Sequence, residues 1–180
     1  MASRMLCLSA AIFIAVASGS LSIALAQDQK PPVKIGGFEY RFIPQGRIHM
    51  NVCQVENCVA GSKVSYVFYA PEETPDFEIF KLSQQRTVEA MQSRLPEGAA
   101  ITLDPPEQSQ EDFMTVFSAT RELRAASGEV LVTQSRQYHT KDVIIAVISS
   151  STDRRQADAN GMLFAVGLLA WSRTIKKADQ

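Results

Sequence analysis

The chain has 180 residues, with 18 lysines and arginines against 19 aspartates and glutamates, so its formal net charge is −1. This balance provides no long-range attraction for nucleic acid or for anionic lipid, because both require a concentrated positive field. The length is enough for a domain with a real hydrophobic core. We therefore expect no nucleic-acid partner.

The first 26 residues have the pattern of a secretory signal peptide. Arg4 precedes an apolar run from Met5 to Val16, and the small-residue sequence Ala24-Leu25-Ala26 closes the segment. A basic start, an apolar run and a small-residue cleavage site define such leaders. We expect residues 1–26 to be removed, residues 27–33 to form a linker, and the exported protein to have no stable membrane span. The alternative is a retained leader acting as a membrane anchor, because the segment approaches the ~20 residues that cross a bilayer.

Export predicts a periplasmic or secreted protein, and in such compartments thiols tend to oxidise. Two cysteines, Cys53 and Cys58, follow the predicted leader, with four residues between them. Apolar alternation on both sides places the pair at the ends of two strands. Opposed strand positions lie about 4.5–5.5 Å apart, within the range that a disulfide accepts. The sequence therefore predicts a structural disulfide between them.

The first half of the chain predicts three antiparallel strands and a helix. Residues alternate between apolar and polar, the period of a half-buried strand, around Phe38–Phe42 and Ile48–Val52. The third strand is Val64–Tyr69, with residues 64, 66 and 68 on one face and 65, 67 and 69 on the other. In the second of these strands the apolar residues are 48, 50 and 52, and the polar ones are 47, 49 and 51. Thr74-Pro75-Asp76 predicts a helix start with threonine as the cap, and Pro96-Glu97-Gly98 predicts its end.

The second half predicts four strands and a second helix. The strands are Ala100–Leu103, Phe113–Arg124, Glu129–His139 and Val143–Ile148, and the last is apolar on both faces, as expected of a central strand. The helix runs from about Asp153 to Lys176, and Asp153 with Gln156 approximates a capping box.

Three other predictions concern the surroundings of these elements. Ser149–Thr152 reads as a polar connector, and the acidic segment Glu107–Asp112 is expected to flank turns and face water. Asp158 and Asn160 are expected to be solvated in the first turns of the last helix. Small residues recur every four positions in that helix and would let it lie close to a sheet: Ala157, Gly161 and Ala165.

The element order β-β-β-α-β-β-β-β-α predicts a single α+β domain over residues 34–177, with an antiparallel sheet of about six to seven strands and two main helices. In element order and length, most of Lys34 to Lys176 resembles the Mog1/PsbP-like fold, and the chain as a whole looks like a bacterial periplasmic protein. The resemblance implies a binding or assembly-factor role without a shared catalytic constellation. It transfers no site residues.

Two catalytic or metal-binding alternatives involve the cysteines. A redox-active pair is one, although dithiol catalysts favour two intervening residues and a helix N-terminus, whereas four residues and strands are found here. A zinc or copper site is the other, formed by His49, Cys53 and Cys58 with His139 from a separate strand. No nucleophile elbow or phosphate-binding glycine loop occurs in the sequence.

We therefore expect an exported soluble domain without catalytic activity or cofactor, which binds a protein or small ligand or assists an envelope assembly. The alternative is a periplasmic thiol oxidoreductase or metal-binding protein that uses Cys53 and Cys58. Aromatic residues at strand spacing are expected to form the core, and some of them could line a ligand groove: Phe38, Tyr40, Phe42, Tyr66, Phe68, Phe113 and Phe117.

Overall fold

The computed structural model describes residues 33–54, 58–59, 61–71, 76–111 and 113–178, with side chains up to residue 174. The predicted signal peptide and all of the predicted linker except Val33 lie outside the described residues.

One antiparallel sheet and two helices make up the described fold, which confirms the predicted α+β class and, apart from one additional strand, the predicted element order; the sheet has eight strands where six to seven were expected. The strands are β1 (Phe38–Ile43), β2 (Ile48–Cys53), β3 (Lys63–Tyr69), β4 (Ala100–Leu103), β5 (Glu107–Glu111), β6 (Met114–Arg124), β7 (Val130–His139) and β8 (Ile144–Ser151). The helices are α1 (Phe77–Gln92) and α2 (Arg154–Ala178), and a short 3-10 turn covers Pro44–Gly46. The sheet order is β1-β2-β3-β8-β7-β6-β4, and β5 pairs with the first half of β6. As predicted, β8 is central.

Successive side chains of a strand point to opposite faces of the sheet, so both faces carry apolar residues. One helix packs on each face. On the face that we call the α2 face, Tyr66 and Ile145 pack in one core cluster with Phe164 of α2. On the opposite α1 face, Phe117 and Ala119 pack against Phe80 of α1. The α1 helix lies over β4 and β6, whereas α2 lies over β3, β7 and β8.

The small residues of α2 bring this helix close to the sheet, as predicted. Ala157 and Ala165 are buried. A Cβ added at Gly161 would lie only 3.3 Å from the Cβ of Ser149 in β8. One turn later, Phe164 meets Phe38 edge-to-face, with ring centroids 5.2 Å apart. Close packing of this kind excludes water along the whole contact.

The predictions for the start of α2 are partly right. The Asp153 carboxylate accepts a 2.8 Å hydrogen bond from the Gln156 backbone N–H, as expected of a cap. Asn160 is buried, which contradicts its predicted solvation. Ser149–Ser151 continue β8 instead of forming a connector, and Ser149 and Ser151 are buried beneath α2. Small hydroxyl side chains fit where the helix comes closest, and Ser62 Oγ donates a 2.9 Å hydrogen bond to Ser151 Oγ.

Three other boundaries differ from expectation. Glu107–Glu111 face water as predicted but form a strand, β5, whose pairing with β6 requires no apolar side chain. Asp76 caps α1, since its carboxylate accepts a 2.9 Å bond from the Ile79 N–H, while Thr74 lies outside the described residues. Phe113 precedes β6 and is exposed, so it is not a core residue.

The packing of α2 predicts a large cost for truncating Phe164. Phe164→Ala should lower the free energy of unfolding by about 3–5 kcal/mol, because it leaves a cavity between α2 and two strands. The matched control is Val166→Ala on the same helix, which should change stability by less than about 0.5 kcal/mol because Val166 is 63% exposed. Urea unfolding measures both, and equal effects would contradict this description of the core.

Candidate functional site

The two predicted cysteines form a disulfide, which confirms their pairing. Cys53 ends β2, and its Cα lies 6.1 Å from that of Cys58. The Cys53 backbone N–H donates a 2.9 Å hydrogen bond to the Ser62 carbonyl, so the bridge clamps the connection between β2 and β3. Both cysteines are buried, with 3% and 8% exposure. A nucleophilic thiol requires access to its substrate, and this bridge offers little.

His49 lies on the α2 face among aromatic rings. It stacks on Tyr66 with centroids 4.8 Å apart and planes 5° from parallel. Its Nδ1 is 3.0 Å from the Tyr40 hydroxyl. Phe42 and Phe68 also contact the ring, with centroids 5.1 and 5.9 Å away. Burial in this cluster lowers the pKa of His49 below its usual value, because the imidazolium loses hydration.

His139 lies elsewhere, on the α1 face at the end of β7. Its ring centroid is 4.2 Å from that of Phe117, and its Nε2 is 3.1 Å from Gln137 Oε1. Burial lowers its pKa as well. His49 and His139 are on opposite faces and three strands apart in the sheet, so the structure does not bring the four proposed metal ligands together. Across the described residues, no three or more His, Cys, Asp or Glu side chains form a group able to hold a metal.

The predicted aromatic set divides between the two faces. Phe117 is a core residue under α1, and Phe113 is exposed beneath the Arg173 guanidinium, 4.4 Å from its ring centroid. The other five lie on the α2 face of the first three strands: Phe38, Tyr40, Phe42, Tyr66 and Phe68. Two of these five, Phe38 and Tyr40, border a cleft, and the other three pack in the aromatic cluster around His49.

This cleft lies on the α2 face, where the chain before β1 crosses the first two strands. Its volume is about 390 Å³. Residues 33–37, which we call the N-terminal segment, form one wall, and Phe38, Tyr40 and Asn51 complete the lining. Volumes above ~300 Å³ are typical of small-molecule sites.

The N-terminal segment is held by contacts at both ends. Val33 packs against α2 at Gly167, where an added Cβ would lie only 2.8 Å from Val33 Cγ1. At the other end the Gly37 carbonyl accepts a 3.0 Å hydrogen bond from the Gln54 N–H. The wall of the cleft therefore depends on a glycine in α2 and on the residue that follows Cys53.

Asn51 is the residue that the sequence did not reveal. It is 2% exposed and borders the cleft, yet its Nδ2 donor has no hydrogen-bond partner. Neighbouring Tyr66 is also buried, and its hydroxyl lies near the Asn51 amide without a well-formed hydrogen bond. Burial and then the adjacent Tyr40 raise the pKa of Tyr66, and the nearby Asn51 amide opposes the rise. An unpaired buried donor costs about 1–3 kcal/mol, so Asn51 makes the cleft polar at its base.

The sequence pattern of β2 concealed Asn51, because the apolar residues of this strand lie on the face of the sheet opposite α2. Ile48, Met50 and Val52 alternate cleanly, which favours burial of that side. In the register of the sheet it is His49 and Asn51 that face α2, opposite Tyr66 and Val64. Ile48, Met50 and Val52 are only half-buried, on the part of the α1 face that α1 does not cover.

Comparison with protein-family models finds no match, and comparison with curated proteins finds no similar sequence. Within the described ranges, neither helix combines the length and apolar character needed to cross a membrane.

Removal of the disulfide should destabilise the protein without changing its fold. In the chain-entropy account, a ring this short contributes about 2 kcal/mol. We expect Cys53→Ala with Cys58→Ala to lower the free energy of unfolding by about that amount, measured by urea unfolding against the oxidised protein. Reduced wild type is the control and should match the double variant. An unchanged stability would contradict the role of the bridge as a clamp.

Stability should fall in acid because two histidines resist protonation. In the unfolded chain both bind protons near pH 6.5, whereas burial holds their folded pKa values lower. The unfolded state thus binds more protons, and the loss begins as pH falls through about 6.5 and is complete below the folded values. His49→Phe and His139→Phe should each reduce this slope. If NMR titration gave both histidines a pKa at or above 6.5 in the folded protein, this prediction would be wrong.

Proposed function

We propose that the protein is an exported, non-catalytic domain that binds a small ligand in the cleft beside the N-terminal segment. The observation that carries this proposal is the Asn51 amide, which is buried, borders the cleft and, apart from its approach to the Tyr66 hydroxyl, has no hydrogen-bond partner for Nδ2 within the described chain. Buried donors in native proteins nearly always have an acceptor. A ligand that supplies this acceptor removes the cost of the unpaired donor.

The lining limits the chemistry of the ligand. Asn51 Nδ2 is a hydrogen-bond donor in the lining. Phe38 and Tyr40 offer aromatic walls, and Lys34, with no carboxylate beside it in the lining, provides a positive charge at the rim. These groups suit a small molecule with an apolar body and a carbonyl or carboxylate oxygen.

The periplasmic or secreted location remains part of the proposal. Its support is the leader pattern together with a buried disulfide, since disulfides persist mainly in oxidising compartments. The resemblance to the Mog1/PsbP-like fold remains a prediction, and the binding or assembly roles that it implies agree with a non-catalytic domain.

The other functions expected from the sequence have weaker support. A thiol oxidoreductase would need access to Cys53 or Cys58, and both are buried. A metal site would need His49 and His139 on one face. A protein partner or an envelope assembly is favoured by one observation, the exposed apolar residues on the outer side of α2: Met162, Leu163 and Val166.

Octanoate is a suitable probe of the cleft, because it joins a carboxylate to an apolar chain. We expect it to shift the Asn51 side-chain amide resonances in a saturable manner, and octylamine to do so more weakly because Lys34 repels it. Asn51→Leu removes this probe, so binding is followed at the backbone N–H groups of Gly36 and Gly37 in the lining, where the octanoate shift seen in the wild type should be lost. Asn160→Leu is the matched control, since Asn160 is also buried with an unpartnered Nδ2 but lies outside the lining. If octanoate, octylamine and octanol all leave Asn51 unshifted, the proposed site is wrong.

A further inference from the structure

Arg121 is a buried arginine without a counter-charge. It lies in the middle of β6 on the α1 face, and the residue is only 6% exposed. In the described part of the chain no carboxylate forms an ion pair with it. Its single hydrogen bond there is a long one, 3.4 Å from Nη2 to the Ser135 hydroxyl. Burial lowers the pKa of Arg121, but a guanidinium keeps its charge at any physiological pH.

Three other arginines in this half of the molecule are paired with carboxylates. Arg124, three residues later in β6, lies 3.0 Å from Glu122. Arg136 in β7 lies 2.5 Å from Asp158, and Arg154 in α2 lies 2.9 Å from Asp104. All three are less buried than Arg121. The most buried of these four charges is therefore the one without a carboxylate, the reverse of what desolvation favours.

Hydroxyl groups surround Arg121 on the same face. The register places Thr133 of β7 opposite Arg121, Ser150 of β8 opposite Thr133, and Lys63 of β3 opposite Ser150. Side chains that are opposite one another across a sheet share a face, so this row contains two cations with two hydroxyls between them. Ser135, in the adjacent row, adds a third hydroxyl.

Negative charge is scarce along this row. Its next two positions are Val52 and Glu39, at the far edge of the sheet. The Glu39 carboxylate already lies 3.1 Å from Arg41. Neighbouring strands are about 4.8 Å apart, so Glu39 is five strand spacings from Arg121 and does not compensate its charge.

The face beside Arg121 is open. The α1 helix covers β4 and β6, and α2 lies on the opposite side of the sheet. On the α1 face of β7 and β8, Leu131 and Ile148 are each 40% exposed. Ser135 is itself only 5% exposed, so a solute approaches from the side of Ile148, past the half-buried Thr133 and Ser150.

We propose that Arg121, Ser135 and Thr133 form a binding site for a phosphate or sulfate group, with Ser150 and Lys63 extending it along the sheet. A tetrahedral oxyanion has several acceptors, which suit a guanidinium fork and convergent hydroxyl donors. It also supplies the counter-charge that Arg121 lacks. This site is on the face opposite the Asn51 cleft, and it does not depend on the function proposed for that cleft.

The direct test is titration of the full exported chain with inorganic phosphate, followed by NMR at the Arg121 Nε–H. A saturable shift is expected with phosphate but not with chloride at equal ionic strength. Arg121→Met lacks this N–H, so it is followed at the backbone N–H groups of Thr133 and Ser135, where the saturable response seen in the wild type should be lost. Arg124→Met is the matched control, because Arg124 lies in the same strand, is exposed and is paired with Glu122. Phosphate and sulfate also stabilise proteins generally by exclusion, but that effect does not saturate and is the same in every variant.

Two further variants keep the test decisive if Arg121→Met does not fold. Lys63→Gln changes an exposed residue and should weaken phosphate binding by roughly 2- to 5-fold, as expected for one screened charge. Ser135→Ala removes the hydroxyl that Arg121 contacts and should also weaken it. Retained binding in both variants, or a phosphate response at Arg121 no larger than that of chloride, would overturn the proposal.

Phenyl phosphate distinguishes a free ion from a phosphate group carried by a larger ligand. Tighter binding of phenyl phosphate than of inorganic phosphate is expected if the natural ligand also contacts the exposed Leu131 and Ile148. Equal binding supports a site for the free ion. If neither compound binds, no oxyanion site exists at Arg121.

Discussion

The close contact between α2 and the sheet is the constraint on which the rest of the structure depends. Gly161 allows the helix to approach β8 at Ser149, and Phe164 then fits between Phe38 and Tyr66. Because this contact spans β3, β7 and β8, it fixes which side chains of these strands lie beneath α2. The histidine cluster, the cleft and the N-terminal segment all follow from that choice.

The same contact explains why polar groups are buried at one end of the core. Ser149 and Ser151 occupy positions where a larger apolar side chain would push α2 away, and Asn160 lies beside them in the helix. Ser62 satisfies Ser151. Asn51, nearer the edge, has no such partner. The core therefore contains polar side chains where α2 is closest to the sheet. The cleft lies beside Asn51, the one of these polar residues that borders it.

Much of the fold could be predicted from the sequence, because it is recorded in local patterns. Strand alternation, the Asp153 cap and the small residues of α2 each act within a few positions, and all were predicted. Register and pairing are not local. The exposed β5 has no apolar pattern to detect, and Ser149–Ser151 look like a connector until α2 is placed above them.

The site was less predictable than the fold for the same reason. The disulfide could be predicted, since its two residues are near in sequence and have one obvious chemistry. Asn51 could not be predicted, because the apolar residues of β2 lie on the partly open α1 face and its polar residues lie on the buried α2 face. Arg121 was equally hidden: a charged residue in an alternating strand predicts solvent, and only the covering helix and the missing carboxylate make it unusual.

The most direct test of the central claim is a crystal structure of the exported protein grown with octanoate. If the cleft binds a ligand through Asn51, it should be open, with a carboxylate oxygen of octanoate within about 3 Å of Asn51 Nδ2. A cleft that is closed, with Asn51 Nδ2 donating to an acceptor of the protein itself, would contradict it.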